Sequence, residues 1–305
     1  MSTANQPNQT GRKAKITSIG FNVRPVGEFI NIVDGEAQKG CDLILLPETC
    51  TGDVIEPLDG DSVRRMSEVA ARNKTYIVFP IYRKSETEER VNSSILIGRG
   101  GEICGVYDKV YPFWSEFELN PPAAVGRDAP VFETDFGKVG MAICFDANFP
   151  EVFKRLSLGG AEIVLWSSAY SAGTSLQAHA INYNYMIITS TLCSDCLVYD
   201  ITGQEIYYQK TQDGVNISRI TVDLDRCIFH ENYNMDKREK VLKEYEGKIE
   251  SDVWLQRESW FTLKAIAPGV SARKIAAEYG MEELSAYKHR SLVEIDKMRG
   301  FKFMN

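Results

Sequence analysis

Three residues of this 305-residue chain have reactive types at places where packing alone does not ask for them. Glu48 ends the apolar run "LILLPE", Lys109 ends "EICGVYDK" and Cys144 ends "VGMAIC". Each run reads as a strand, and in open α/β sheets reactive groups gather at the carboxyl ends of strands. Taken singly, each residue has an ordinary role: a carboxylate capping a helix, a solvated loop lysine, a cysteine serving as a small core hydrophobe. A carboxylate, an ammonium and a thiol at three strand tips form a set suited to nucleophilic chemistry. A thiol must lose its proton to attack, and an adjacent carboxylate can take it. The stretch "KVGMAICFDANFPEVF" (138–153) sharpens the point, because an apolar strand runs into the cysteine and a short polar turn and a helix follow.

The elements that must position these groups alternate. "KITSIGFNV" (15–23) has strand character, and "EFINIVDGEAQKG" follows with Ile30, Val33 and Ala37 at helical spacing. "CDLILLPE" is an apolar strand, a polar helix spans about 60–74, and "TYIVFPIY" is another strand. "NSSILIG" and "EICGVYDK" form a hairpin across a Gly-Gly turn, and "VFETDFGKVGMAICF" makes two strands across a glycine turn. "PEVFKRLSLGG" opens with Pro150 in a helix-start position and closes on glycine. Next come "AEIVLWSSA" as strand, "SLQAHAINYNY" as helix, and the strands "MIITSTLC", "CLVYDITG", "QEIYYQ" and "NISRITVDL". Interleaved hairpins suit two sheets with helices on their outer faces better than one parallel sheet. The expected fold class is α/β, a four-layer α-β-β-α sandwich of two mixed sheets with helices outside, plus a helical C-terminal extension. The expected boundaries are a polar, disordered lead over 1–14, a core over 15–225 and a charged extension over 226–305. Trp254, Leu255, Trp260 and Phe261 in that extension need cover, from the core or from a partner subunit.

"LLPE", "YDKVYPFW" and "CFDANFPE" together resemble the Glu, Lys and Cys segments of the nitrilase superfamily of carbon–nitrogen hydrolases, in their order and separation. The resemblance covers residues 15–225, and the cysteine segment is its most specific part. It implies that Cys144 is the nucleophile and Glu48 the general base. It also implies that Lys109 and the backbone N–H of Phe145 stabilise the oxyanion, through a thioester intermediate. A second glutamate between the Lys and Cys segments is implied as well, and "PFWSEFELNPP" offers Glu116 and Glu118; spacing back from Cys144 favours Glu118. True nitrilases show Cys-Trp-Glu, where this chain has Cys144-Phe145-Asp146. Carbamoylases of free amino acids place arginines where Ala147 and Asn148 stand, which leaves no charge for a bidentate pair with a substrate carboxylate. "CFDANFPE" is similar to aliphatic amidases, so the implied substrate is the amide of a small or medium neutral acid, with an N-carbamoyl substrate as the alternative. Asn148, and Ser168, Ala169 and Tyr170 of "WSSAY", are the expected substrate contacts. The resemblance also implies a homo-oligomer. No metal or cofactor is called for.

Composition narrows the remaining classes. A net charge of −7 argues against a general nucleic-acid or anionic-membrane binder, since both need a basic face. No apolar run approaches the ~18–20 residues needed to span a bilayer. Seven cysteines at irregular spacing, without an export signal, suit reduced thiols and a cytoplasmic setting. The Asn-x-Ser triplet at 92–94 then carries no weight as a glycosylation site. "CSDC" (193–196) lacks the second pair that zinc would need and reads as a turn. His179 sits among packing residues. "IAAEYGM" and the segment after it mimic a helix-turn-helix, but the second helix would begin with Glu282 and Glu283, which repel phosphates. Two rivals to hydrolysis stand beside it: an idle scaffold, and a DNA-binding regulator using the C-terminal helices.

Overall fold

A computed structural model describes residues 9–212 and 214–302. The chain divides into two compact units, one of residues 14–222 and one made of the residues up to Lys13 together with those from Asp223 on.

The larger unit carries two mixed sheets. The first runs Val215–Asp223, Lys13–Phe21, Leu43–Leu45, Tyr76–Lys84, Arg90–Ile97 and Ile103–Asp108, with the short strands Ile55–Glu56 and Ala123–Ala124 beside it. Its middle strands are parallel, Ile16 lying opposite Leu43 and Leu43 opposite Tyr76, and the Arg90–Ile97 hairpin closes it antiparallel. The second runs Glu205–Lys210, Asp195–Tyr199, Met186–Thr191, Ile163–Ser168, Lys138–Ile143 and Val131–Glu133. Its three central strands are parallel. Continuous apolar runs such as Leu43–Leu45 follow from this placement, because a central parallel strand is covered on both faces.

Helices supply that cover. Val26–Ala37 and Asp61–Asn73 bury Phe29, Val33, Met66 and Val69 in one cluster with Phe21, Ile44, Ile77 and Ile95 of the first sheet. Pro150–Leu158 and Thr174–Tyr183 bury Val152, Phe153, Leu156 and Leu176 beside the second sheet. Pro150 at the first helical position and Glu151 in the first turn set the start of Pro150–Leu158.

Hydroxyl-to-carbonyl bonds join the inner faces of the two sheets. Ser18 Oγ donates to the Thr189 carbonyl at 2.7 Å, Ser190 Oγ to Ile19 at 3.0 Å, and Ser167 Oγ to Leu46 at 2.7 Å. Gly20 lies in the same seam, where an added Cβ would meet the Thr191 carbonyl oxygen at 3.0 Å and Asp195 backbone atoms at 3.1 and 3.2 Å. Small residues here let two backbones approach more closely than ordinary stacked sheets, which lie about 10 Å apart.

The smaller unit differs from the expected helical extension. It contains Met235–Glu244, Ala272–Glu278 and Leu284–Arg299 as helices, but also a four-stranded antiparallel sheet of Cys227–His230, Trp260–Ala265, Ile249–Glu250 and Trp254–Leu255. Strands of two to six residues set among charged side chains leave too little periodicity to read. Phe261 is buried with Phe229, Val241 and Leu263, while cations cover the tryptophans: Arg238 lies 4.8 Å over Trp254 and Lys288 4.7 Å over Trp260. Part of the expected disordered lead is also ordered. Gln9 accepts the Gly269 N–H at 3.0 Å and the Arg12 N–H donates to Asp223 at 2.9 Å; residues 1–8 lie outside the described residues. Glu282 and Glu283 pair with Arg290 and Arg273, both at 2.8–2.9 Å. Among the described residues no helix is long and apolar enough to cross a membrane.

Two glycine substitutions test the seam with opposite signs. Gly20→Ala forces the sheets apart and is expected to cost about 1–3 kcal/mol. Gly35→Ala, in a helix with nothing within 4 Å of the new methyl, is expected to add about 0.5–1 kcal/mol. Urea midpoints of the two variants check both.

Candidate active site

Glu48, Lys109 and Cys144 come together. Glu48 follows the strand Leu43–Leu45 of the first sheet, Lys109 follows Ile103–Asp108 of the same sheet, and Cys144 follows Lys138–Ile143 of the second. All three line one cavity of about 530 Å³, with Thr49, Tyr82, Phe113, Ser115, Glu116, Phe145, Asn148, Ala169 and Tyr170.

The Lys109 ammonium, 1% exposed, donates to Glu48 Oε1 at 2.7 Å and to Glu116 Oε2 at 2.5 Å. Asn92 Nδ2 bridges the same two carboxylates from the other side, at 2.8 Å each. The other Glu48 oxygen accepts the Ala169 N–H at 2.8 Å, so the second sheet grips the carboxylate of the first. Glu116 also accepts the Phe113 N–H at 2.8 Å and the Tyr82 hydroxyl at 3.4 Å. The structure therefore corrects the choice between the two glutamates. In the 3₁₀ turn Trp114–Glu118, Glu116 is the residue turned inward and buried, and Glu118 is exposed two positions on.

A profile of the carbon-nitrogen hydrolase family matches residues 25–227, well over half the chain and every residue of this cluster. The chain belongs to the carbon-nitrogen hydrolase family. It is 32% identical over 173 residues to a probable nitrilase of Schizosaccharomyces pombe, covering 52% of this chain and 62% of that protein. It is 25% identical over 181 residues to an omega-amidase of Xenopus tropicalis (53% and 66%), and 31% identical over 154 residues to a beta-ureidopropionase of Arabidopsis thaliana (45% and 38%). The chain thus matches less than two thirds of the length of these curated relatives. Among solved structures, a cysteine mutant of an amidase from Nesterenkonia AN1 shares the fold at a TM-score of 0.62 and 18% identity, over 79% of this chain and 100% of that one. A carbon-nitrogen hydrolase from Helicobacter pylori does so at 0.62 and 16%, over 77% and 94%. In another mutant of the Nesterenkonia amidase the active-site cysteine carries the acetamide moiety of fluoroacetamide covalently.

In this family member the cysteine sits on a strained turn. Cys144 has φ 48°, a left-handed conformation that costs a non-glycine residue about 1–3 kcal/mol. Asp146 holds the turn: it accepts the Ile143 N–H at 2.8 Å, the Tyr111 N–H at 2.9 Å and the Tyr107 hydroxyl at 2.6 Å. Since Tyr107 and Tyr111 flank Lys109, one carboxylate ties the cysteine's turn to the lysine's segment. Burial pushes the Asp146 carboxyl up to about 6, against the pull of those three donors. The indole N–H of Trp166 bonds the Cys144 carbonyl at 3.2 Å and fixes the turn from below.

Electrostatics set the resting state. Burial pushes the Cys144 thiol up to about 12; the charge of Glu48 and a hydrogen bond to it push the same way, and Lys109 and the Ala169 N–H pull back. Burial alone would lower the Lys109 ammonium, but Glu48, Cys144 and Glu116 outweigh it and raise it. Two carboxylates around one ammonium already leave a surplus negative charge, so a resting thiolate would add a second. The sulfur keeps its proton until a reaction can use it.

The remaining expected residues divide. Asn148, Ala169 and Tyr170 line the cavity, and Phe145 stands at its wall against Phe113, ring centroids 5.3 Å apart. Ser168 is not among the lining residues: it is buried, and its hydroxyl caps the Tyr170 N–H at 3.0 Å. His179 bonds the Ala147 carbonyl at 2.9 Å and stacks on Phe153 at 3.8 Å, and burial lowers its pKa. Cys193 sits in the turn between two strands and Cys196 is buried in the second; both are free thiols. Asn92, Tyr82, Thr49, Phe113 and Ser115 escaped the sequence reading.

Lys109→Ala leaves Glu48 and Glu116 buried together without a cation, which is expected to cost about 3–5 kcal/mol at pH 7. The deficit measured by urea unfolding should be smaller at pH 5 than at pH 7, and turnover should fall by at least about 10²–10³-fold.

Proposed function

We propose that this chain hydrolyses linear amides of small or medium neutral acids through a thioester on Cys144. The observation that supports this most is the convergence of Cys144, Glu48, Lys109 and Glu116 on one cavity. Glu48 takes the thiol proton as the sulfur attacks the amide carbon. The carbonyl oxygen becomes an oxyanion beside the Lys109 ammonium and the Phe145 N–H, where each donor is worth about 3–4 kcal/mol of barrier. Glu48 then passes the proton to the departing amine, the tetrahedral centre collapses to the thioester, and the same carboxylate activates water to release the acid. Glu116 gives the Lys109 ammonium a second carboxylate partner beside Glu48 and so fixes the ammonium's direction.

The lining supports a neutral acyl group. Its charged residues are Glu48, Lys109 and Glu116, and the rest of the wall is Phe113, Phe145, Ala169, Tyr170 and other uncharged side chains. A second arginine or lysine for a substrate carboxylate is not among the lining residues. The likeness to a beta-ureidopropionase keeps an N-carbamoyl substrate as the second reading. Self-association belongs to the proposal as well: Val293, Ile295 and Met298 of the last helix are exposed, and a homo-oligomer would cover them. An idle scaffold has no use for a buried, strained cysteine beside a carboxylate.

Glu48→Gln protein incubated with pooled short-chain amides and carbamoyl compounds should gain the mass of one acyl group, mapped by peptide digestion to Cys144. Cys144→Ala should gain none and lose turnover. Wild-type protein that turns over no compound in either pool, with no adduct on the glutamine variant, would sink the reading.

A further inference from the structure

Arg90 opens the strand Arg90–Ile97 and is 6% exposed, yet it makes no ion pair among the described residues, and its Nε and Nη1 are buried without hydrogen-bond partners. Buried charges are ordinarily paired. Arg226, at 9% exposure, follows that rule and meets Asp252 at 3.1 Å. The guanidinium of Arg90 instead lies 4.8 Å from the centroid of the Tyr82 ring. Tyr82 lines the cavity, stands opposite Asn92 in the sheet register, and donates its hydroxyl to Glu116. Asn92, two residues along from Arg90 and therefore on the same face of the strand, donates to both Glu48 and Glu116. Arg90 thus packs on the tyrosine whose hydroxyl bonds one carboxylate of a cluster carrying a surplus negative charge.

We propose that Arg90 is a positioning residue for the candidate site. Across the face of Tyr82 it supplies the second positive charge that balances Glu48 and Glu116, and it holds the tyrosine so that its hydroxyl meets Glu116. This answers why the cluster tolerates two buried carboxylates with a single lysine between them. The other charged groups nearby are accounted for. Lys109 is shared by both carboxylates, and Cys144 is a neutral thiol. Asp146 is held by three donors of its own. Arg83 pairs with Asp108, and Lys84, opposite Arg90 in the sheet, pairs with Glu88. Tyr170 faces the cavity uncharged, with burial raising its pKa. Arg90 alone brings an uncompensated charge.

The proposal rests on the geometry of the cluster, and on the amide-hydrolase reading only for its kinetic arm. A double-mutant cycle tests it without substrate. Arg90→Met should lower the urea midpoint at pH 7, with a smaller deficit at pH 5, because the unbalanced carboxylates then gain a proton. Glu116→Gln alone should also destabilise, yet in the Arg90→Met background it should restore at least half of the lost midpoint by removing the surplus charge. Arg90→Lys should stay near the wild type. In the kinetic arm, the acidic limb of kcat/KM for a neutral amide should move up by about one pH unit in Arg90→Met. It should stay in place in Arg90→Lys. Additive losses from Arg90→Met and Glu116→Gln, or equal damage from Arg90→Lys and Arg90→Met, would overturn the proposal and leave Arg90 a packing residue. Failure of the wild type on every amide would strike the hydrolase reading, while the stability cycle still decides the role of Arg90.

Discussion

The close seam between the two sheets is the constraint on which the site depends. Glu48 and Lys109 belong to one sheet and Cys144 and Ala169 to the other, so the reactive groups meet only if the sheets sit at a fixed short distance. Serine hydroxyls donating to carbonyls across the interface, with Gly20 between them, set that distance. Apolar side chains would fill the gap at the usual separation of stacked sheets. Ser167 bonds to the Leu46 carbonyl two residues before Glu48, and two residues after Ser167 the Ala169 N–H takes the Glu48 carboxylate. The joint that holds the layers together is therefore continuous with the bond that aims the Glu48 carboxylate.

Within that frame the site is organised around charge more than shape. A nearly inaccessible ammonium is stable only because two carboxylates share it, and two carboxylates are tolerable only with cations close by. The neutral thiol follows from the same balance. Strain at Cys144 is concentrated in one residue and carried by neighbours that have other duties, with Asp146 gripping the lysine's flanks and Trp166 lying in the next strand.

Much of this was legible in the amino-acid sequence, for identifiable reasons. Apolar runs ending in Glu48 and Cys144 marked central strands and their tips, because burial on both faces leaves no room for polar alternation. Pro150 and the closing glycine marked a helix. The choice of Glu118 over Glu116 went astray because a 3₁₀ helix completes a turn every three residues, so two glutamates two apart face different sides and linear spacing does not say which faces inward. Ser168 at a strand end looked like a contact, but its hydroxyl is spent on the neighbouring backbone. Asn92 and Arg90 were invisible for a different reason: their meaning comes from a tyrosine and two carboxylates on other segments. The small sheet of the second unit was hidden by strands too short to show a period.

The protonated state of Cys144 has a consequence for life in an oxidising episode. Peroxide and related oxidants attack thiolates that are open to solvent, whereas burial raises the pKa of Cys144, which is 7% exposed. Cys104 and Cys193 lie exposed on the surface and meet such reagents first. Damage would accumulate on these surface thiols before it reaches Cys144.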